Sequence, residues 1–504
     1  MNHLQQIQQW MKTNSIDLFL INRTDEFLSE YIAPYAERLQ WISNFSGSAG
    51  RAAIFQDRAT IFVDGRYTSQ VHQQVDNQYF IIKHLQDYWS WLEKNIKTKI
   101  EIGVDPFLVS NIEIKKLKDI LKGKKSSIRY LEKNPIDILW NDQPSHPSSK
   151  AFIHEEHFAG KSSKDKLHKV QSLLQSTFID YYILTSLDSI AWLLNIRGND
   201  IEYTPLVLSF AIVPKSGKIE FFVDEKKINN IRKKLENLVN FHPFQGIENY
   251  IKSVKKSRVV GLDESNSAYI FKKICNDTNL TVNYLLDPCI YLKAQKNIIE
   301  LAGAKKANER DGVSITKFLY WLKHKALNSN VDEIIAKNYL YSLRKNNEFF
   351  YSLSFDTISA FGKNAALPHY RVTPESNLPF KKNNIYLVDS GAQYRDGTTD
   401  ITRTVILGKS TAEQKNHFTR VLKGHIAIAK AVFEINTKGS KLDPLARKSL
   451  KEIECDYDHG TGHGIGSFLS VHEGPQRIAK TNALSDGEIR EGMILSNEPG
   501  FYKK

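Results

Sequence analysis

Cysteine is scarce in this 504-residue chain: Cys275, Cys289 and Cys455 are odd in number and show no C-x-x-C spacing. That excludes a disulfide framework and a zinc ribbon, and leaves the three thiols reduced. Long apolar runs are missing as well. A membrane span needs about twenty consecutive apolar residues, whereas the longest stretches here are far shorter and broken by charge. The first fifteen residues, Met1 to Ser15, are rich in Gln, Asn and Lys and lack the apolar core of a secretory signal. A cytoplasmic protein with no membrane partner is the expectation.

What is present reads as a soluble globular chain, 41% hydrophobic and 25% charged. Its length calls for two or three domains, each able to bury a sizeable core. The net charge of +13 raises nucleic acid as a partner. However, the lysines are spread over positions 115–125, 226–234 and 252–256, with no aromatic residues interleaved as a stacking platform. These runs read as solvated faces, and no nucleic-acid partner is expected.

Two stretches of the first half look alike. Leu18-Phe19-Leu20-Ile21, Trp41-Ile42, Phe45-Ser46-Gly47 and Ile61-Phe62-Val63-Asp64 follow one another as do Tyr182-Ile183-Leu184, Trp192-Leu193, Ile196-Arg197-Gly198 and Phe221-Phe222-Val223-Asp224. Short β-branched and aromatic runs between turn residues are buried strands, so the pattern predicts two copies of one α/β unit. Pro, Ser and His cluster at 142–149, and Leu286-Asp287-Pro288 forms a second break. Three domains follow, at 1–155, 156–293 and 294–504. In the third, Ile315, Phe318, Leu319 and Leu322 share one helical stripe. Phe418, Val421, Leu422, His425, Ala429, Val432 and Phe433 mark another amphipathic helix, and 385–389 and 401–407 read as strands. The third segment is thus mixed α/β with antiparallel pairing.

Three short stretches of that segment carry chemistry. Val388-Asp389-Ser390-Gly391 ends a strand, and Asp396-Gly397 is a hairpin signal that returns Asp400 toward Asp389. Two carboxylates brought together need a positive partner to stay ionised, and a divalent metal supplies it. Taken alone, the pair also reads as one aspartate capping a turn and one facing solvent. His459-Gly460-Thr461-Gly462-His463-Gly464-Ile465-Gly466 has too much glycine for a helix. It is not the H-E-x-x-H helix of zinc peptidases, and reads either as a loop presenting imidazole ligands or as a plain turn. Ser496-Asn497-Glu498-Pro499-Gly500 follows the apolar Met493-Ile494-Leu495 and sets a carboxylate at the end of a strand, though Glu-Pro-Gly is also an ordinary turn.

Taken together, Asp389, Asp400, His463 and Glu498 stand in the order and approximate spacing of four metal ligands of the pita-bread metallopeptidases. The motifs around them are similar to those of the long, three-domain Xaa-Pro aminopeptidases. Phe45-Ser46-Gly47-Ser48-Ala49-Gly50, Asp64-Gly65-Arg66-Tyr67, the stretch from Trp192 to Gly198, and Pro205-Leu206 extend the resemblance upstream. It implies two related N-terminal creatinase-like α/β domains followed by a pita-bread catalytic domain. The implied activity is release of the first residue from peptides with proline in second place, with two divalent cations, Mn2+ by the hard carboxylate-rich donor set. Asp389 then resembles the bidentate ligand of one metal, Asp400 the bridge, and His463 and Glu498 the remaining ligands of the other. Glu498 also resembles the proton acceptor, and His369, His459 and His472 the histidines beside the substrate. The family's fifth ligand, a second bridging Glu, has no counterpart before Lys504, so the resemblance implies a catalytic domain incomplete at its C-terminus. Three readings follow: a weakly active or inactive product, a missing piece supplied by a separate C-terminal fragment, or an incomplete version of a working enzyme. A homodimer is a further expected partner. The competing functions are a metal-free pita-bread binding module, a prolidase and a creatine-type amidinohydrolase.

Overall fold

The structure, a computed structural model, describes residues 2–480 and 486–503. It divides into two compact units: Met1–Phe152, Ser163–Glu202 and Val207–Pro288 form the first, and Ile153–Ser162, Tyr203–Leu206 and Cys289–Lys504 the second.

The first unit holds two six-stranded sheets. One is built from β1 (Leu18–Asn22), β2 (Gly50–Phe55), β3 (Ala59–Val63), β4 (Phe80–His84), β5 (Glu101–Val104) and β6 (Ser127–Tyr130), in the order β4-β3-β2-β1-β5-β6. The other uses β7 (Tyr181–Leu184), β8 (Ser209–Pro214), β9 (Ile219–Val223), β10 (Val239–His242), β11 (Val259–Leu262) and β12 (Thr281–Tyr284), in the order β10-β9-β8-β7-β11-β12. In both, the first strand lies inside, antiparallel to the second and parallel to the fifth. The outer pairs are parallel in both as well. The duplication read from the sequence is therefore a duplication of topology. Helices cover both faces of such a sheet, which is why β1 is an unbroken apolar run: Phe19 and Ile21 enter one core, Leu18 and Leu20 the other.

The second unit contains the long helix α1 (Ile298–His324), whose N-terminus is closed by a capping box in which Asn297 accepts from Glu300 N–H and Glu300 accepts from the Asn297 N–H. Ile315, Phe318 and Leu322 of α1 pack with Ala336 and Leu340 of α2 (Glu333–Lys345). Together they cover one face of a three-stranded antiparallel sheet of β14 (Ile358–Phe361), β15 (Asn384–Ser390) and β18 (Ile401–Leu407). A second small sheet joins β13 (Phe350–Leu353), β16 (Ala392–Tyr394) and β17 (Gly397–Thr398), and β19 (Gly462–Gly464) pairs with β20 (Glu473–Ile478).

Two expectations for this unit change. The amphipathic helix forms as α3 (Ala412–Ala429) but stops before Val432 and Phe433, and its apolar stripe lies open, with Phe418 54% and Leu422 43% exposed. It packs instead through Gly424, whose missing side chain admits the Ala446 carbonyl of α4 (Asp443–Lys451). Met493-Ile494-Leu495 is no continuous strand: it makes isolated bridges, Met493 to Gln295 and Leu495 to Gly464, the latter where β19 is itself irregular. Among the described residues, no helix is long and apolar enough to cross a membrane.

Candidate metal centre

Alternation along β15 sets the first ligand candidate. Tyr386, Val388 and Ser390 are buried against the helices, so Asp389 projects from the opposite face. Across the ladder Asp389 is paired with Thr402 and Ser390 with Ile401. Asp400, two residues before Thr402, is therefore a diagonal neighbour of Asp389 on that same face. Gly391 lets the two strands close up here, since a Cβ would collide with the Thr399 carbonyl.

The other two candidates come from the glycine-rich loop and the chain beyond it. Ser496 N–H donates to His463 O and Glu498 N–H to Thr461 O, both at 2.8 Å, so the two segments run side by side. Gly462 permits that approach, because a Cβ there would strike Ser496 O. Ser496 then ties the His463 backbone to the Glu498 side chain: its Oγ accepts from the His463 backbone N–H at 2.9 Å and donates to Glu498 Oε1 at 2.8 Å.

The result is a tight cluster. His463 Nε2 lies 3.2 Å from Asp400 Oδ2 and 3.0 Å from Glu498 Oε1, and donor atoms of all three residues fall within 4.8 Å of one another. Such separations are those of neighbouring donors around one small cation with bonds of about 2.1 Å. The imidazole is oriented for the same purpose. Its Nδ1–H donates to Gly464 O at 2.8 Å, which turns Nε2 toward the two carboxylates.

Electrostatics carries the same message. Burial, then the charges of Asp400 and Glu498, push Asp389 well above the ordinary carboxylate range, against the hydrogen bond from Thr402. His463 is raised well above an ordinary histidine: burial works against this, and hydrogen bonds to Asp400 and Glu498 prevail. Glu498 drops to about 2 although burial opposes it, because His463 holds its charged form. Three carboxylates thus gather around the His463 imidazole, and Asp389 Oδ1 is shut off from solvent with no hydrogen-bond partner. A buried acceptor with nothing to accept from, inside an excess of negative charge, fits divalent cations.

Of the remaining sequence candidates, His472 meets His463 edge to face at 4.4 Å between ring centres. His459 Nδ1 bonds the Gly460 carbonyl at 2.7 Å, which leaves Nε2 to accept from Tyr502 OH at 3.0 Å. His369 stands between Leu367 and Tyr370, which pack with Ile358, Ala360 and Leu387 on the Asp389 face of the sheet. Sequence reasoning missed Thr402, Ser496 and Tyr502. Tyr502 closes against His459 and feels the charges of Asp389 and Glu498. Its one signal was its place just after Glu498-Pro499-Gly500.

Comparison with known proteins decides the family. Residues 302–504 match metallopeptidase family M24, while 3–129 and 142–300 match creatinase/prolidase N-terminal domains. "Probable Xaa-Pro aminopeptidase P" of Paracoccidioides lutzii is 36% identical over 99% of this chain and 84% of its own length. The chain belongs to the Xaa-Pro aminopeptidase P family. A member from Laccaria bicolor is 37% identical over 99% of this chain and 79% of its own length. The structure of X-prolyl aminopeptidase from Caenorhabditis elegans superposes with a TM-score of 0.92 and 33% identity, covering 97% of this chain and 81% of that one. That protein is described as a cytosolic enzyme with a di-nuclear active site. Xaa-Pro dipeptidase from Bacillus anthracis, 23% identical with a TM-score of 0.55 over 68% of this chain and 91% of that one, shares the fold. The architecture is therefore that of two creatinase-like domains and a pita-bread catalytic domain.

Proposed function

We propose that this chain hydrolyses the peptide bond between a first residue and a following proline, as the two-metal exopeptidases of its family do. The observation that carries the reading is the convergence of Asp400, His463 and Glu498, with Asp389 behind them and its Oδ1 unpartnered. Asp389, Asp400, His463 and Glu498 would hold the metals, and Mn2+ suits three carboxylates and one imidazole better than a thiolate-seeking ion. Bound there, two divalent cations would polarise the scissile carbonyl and supply a nucleophile at neutral pH.

The chain's own groups do the rest. Glu498, kept ionised by His463 and Ser496, is placed to take a proton. His472 and His369 act on the tetrahedral oxygen and the leaving imino group, and His459, fixed by Gly460 O and Tyr502, orients the substrate's near end. We assign the domains to 1–155, 156–293 and 294–504 and the protein to the cytoplasm. The test is Mn2+-dependent release of the first residue from an Xaa-Pro-Xaa peptide. Cleavage of an Xaa-Pro dipeptide instead would mark a prolidase, and neither reaction would mark a binding module.

A further inference from the structure

We infer that two buried aspartate–arginine pairs, Asp311 with Arg344 and Asp443 with Arg447, are positioning residues that set the metal ligands from behind. The inference rests on the metal-centre reading proposed above. In the first pair, Arg344 of α2 grips Asp311 of α1 through two hydrogen bonds of 2.6 and 2.9 Å, with both side chains fully buried. In the second, Arg447 grips Asp443 one turn earlier on α4 through bonds of 2.6 and 3.2 Å, also fully buried.

The two pairs reach their ligands by the same two routes. Each aspartate accepts a threonine hydroxyl at 2.6 Å: Thr399, which precedes Asp400, and Thr461, two residues before His463. Each arginine donates to backbone carbonyls beside the site. Arg344 reaches Ser390 O at 3.3 Å, next to Asp389, and Arg447 reaches Tyr457 O at 2.6 Å and His459 O at 2.9 Å. A tyrosine braces each set, Tyr394 on Asp311 and Tyr457 on Thr461. One pair thus spans both ends of the Asp389–Asp400 hairpin, and the other holds the histidine loop. Stability alone gives a poor account of them, since a buried ion pair is often no better than apolar side chains of equal volume. Partners that fix the direction of a ligand, by contrast, tune metal affinity when removed.

The experiment is calorimetric titration of the metal-stripped full chain with MnCl2, for wild type, Thr399→Val, Thr461→Val, Thr399→Ser and Thr461→Ser. The thermal midpoint of each stripped protein is measured in parallel. Valine keeps the volume and deletes only the hydroxyl, so both valine variants are expected to bind Mn2+ about tenfold to a hundredfold more weakly. Both serine variants are expected to recover wild-type affinity. Should a valine variant fail to fold, Arg344→Lys, which keeps its charge beside Asp311 and loses the fork that reaches Ser390, takes its place with the same expectation. Valine variants that bind like wild type, or serine variants as weak as valine, would overturn the inference while leaving the metal centre standing. A wild-type chain that takes up no Mn2+ would overturn the underlying reading and the inference with it.

Discussion

Asp389 faces Thr402 across the β15–β18 ladder, which makes Asp400 its diagonal neighbour on the face turned away from the helices. A slip of one residue in that register would send Asp389 into the apolar core and Thr402 out of reach. The geometry of the site is therefore inherited from the alternation Tyr386, Val388, Ser390, which anchors β15 to α1 and α2.

Removing the central carboxylate should empty the site. Asp400→Ala leaves His463 and Glu498 without the ligand they share, and metal content by elemental analysis should fall to background. Asp389→Asn, which keeps shape but removes charge, should lose affinity without unfolding. Retention of two metals by Asp400→Ala would refute the ligand set.

Metal uptake should release protons. In the metal-free chain burial and the neighbouring carboxylates make Asp389, and hydrogen bonds to Asp400 and Glu498 make His463, hold a proton more tightly than the free side chains do, and a cation competes with those protons. Affinity should thus increase with pH, and calorimetry in buffers of different ionisation enthalpy should detect the released protons. The metal-free chain follows linkage. A raised His463 stabilises the fold fully below its unfolded value of about 6.5, and that contribution is lost as pH rises through its folded value. Glu498, lowered to about 2, contributes above its unfolded value and loses this only as pH falls toward 2. Binding without proton release would contradict the assignment.

Much of this was legible because turn chemistry is local. The Asp396-Gly397 signal foretold the hairpin, although the turn sits one residue earlier, at Arg395 and Asp396, with Gly397 already on the return strand opposite Tyr394. The glycines around His463 excluded a helix, and the run instead holds the short, irregular strand β19. Other features were not legible. Periodicity tells which residues of α3 share a face, but not whether anything covers it, so Phe418 and Leu422 read as one apolar stripe and stand exposed. Asp311 and Arg344 lie on separate helices, and no sequence spacing joins them.

Glu473, the residue after His472, accepts from Lys293 at 3.0 Å and from Lys296, all three side chains being almost fully buried. Glu473→Gln takes from both buried ammonium groups the carboxylate charge they are bonded to. A loss of about 3–5 kcal/mol is expected, readable as a lower denaturant midpoint. A shift under 1 kcal/mol would mean that water reaches these lysines.

Glu333 at the start of α2 is buried and accepts from Phe361 N–H at 2.6 Å, Leu378 N–H at 2.9 Å and Tyr370 OH at 2.9 Å. It thereby fastens both ends of the loop that carries His369. Glu333→Ala strands two backbone donors at about 1–3 kcal/mol each and should reduce activity as strongly as His369→Ala. Activity that survives while the melting temperature falls would separate His369 from this support.

His472→Ala should retain its metals and lose about two to four orders of magnitude in kcat, as expected for a positioned acid–base or oxyanion group. Elemental analysis alongside turnover of an Xaa-Pro-Xaa peptide makes the distinction. Loss of metal in step with activity would instead make His472 a ligand.

The most direct test of the account is an anomalous difference map from a crystal of the full chain grown with MnCl2. The expected result is a peak in contact with Asp400 Oδ2, His463 Nε2 and Glu498 Oε1, and a second against the Asp389 carboxylate. A map with no peak among these four residues, at manganese concentrations that saturate binding in solution, would contradict it.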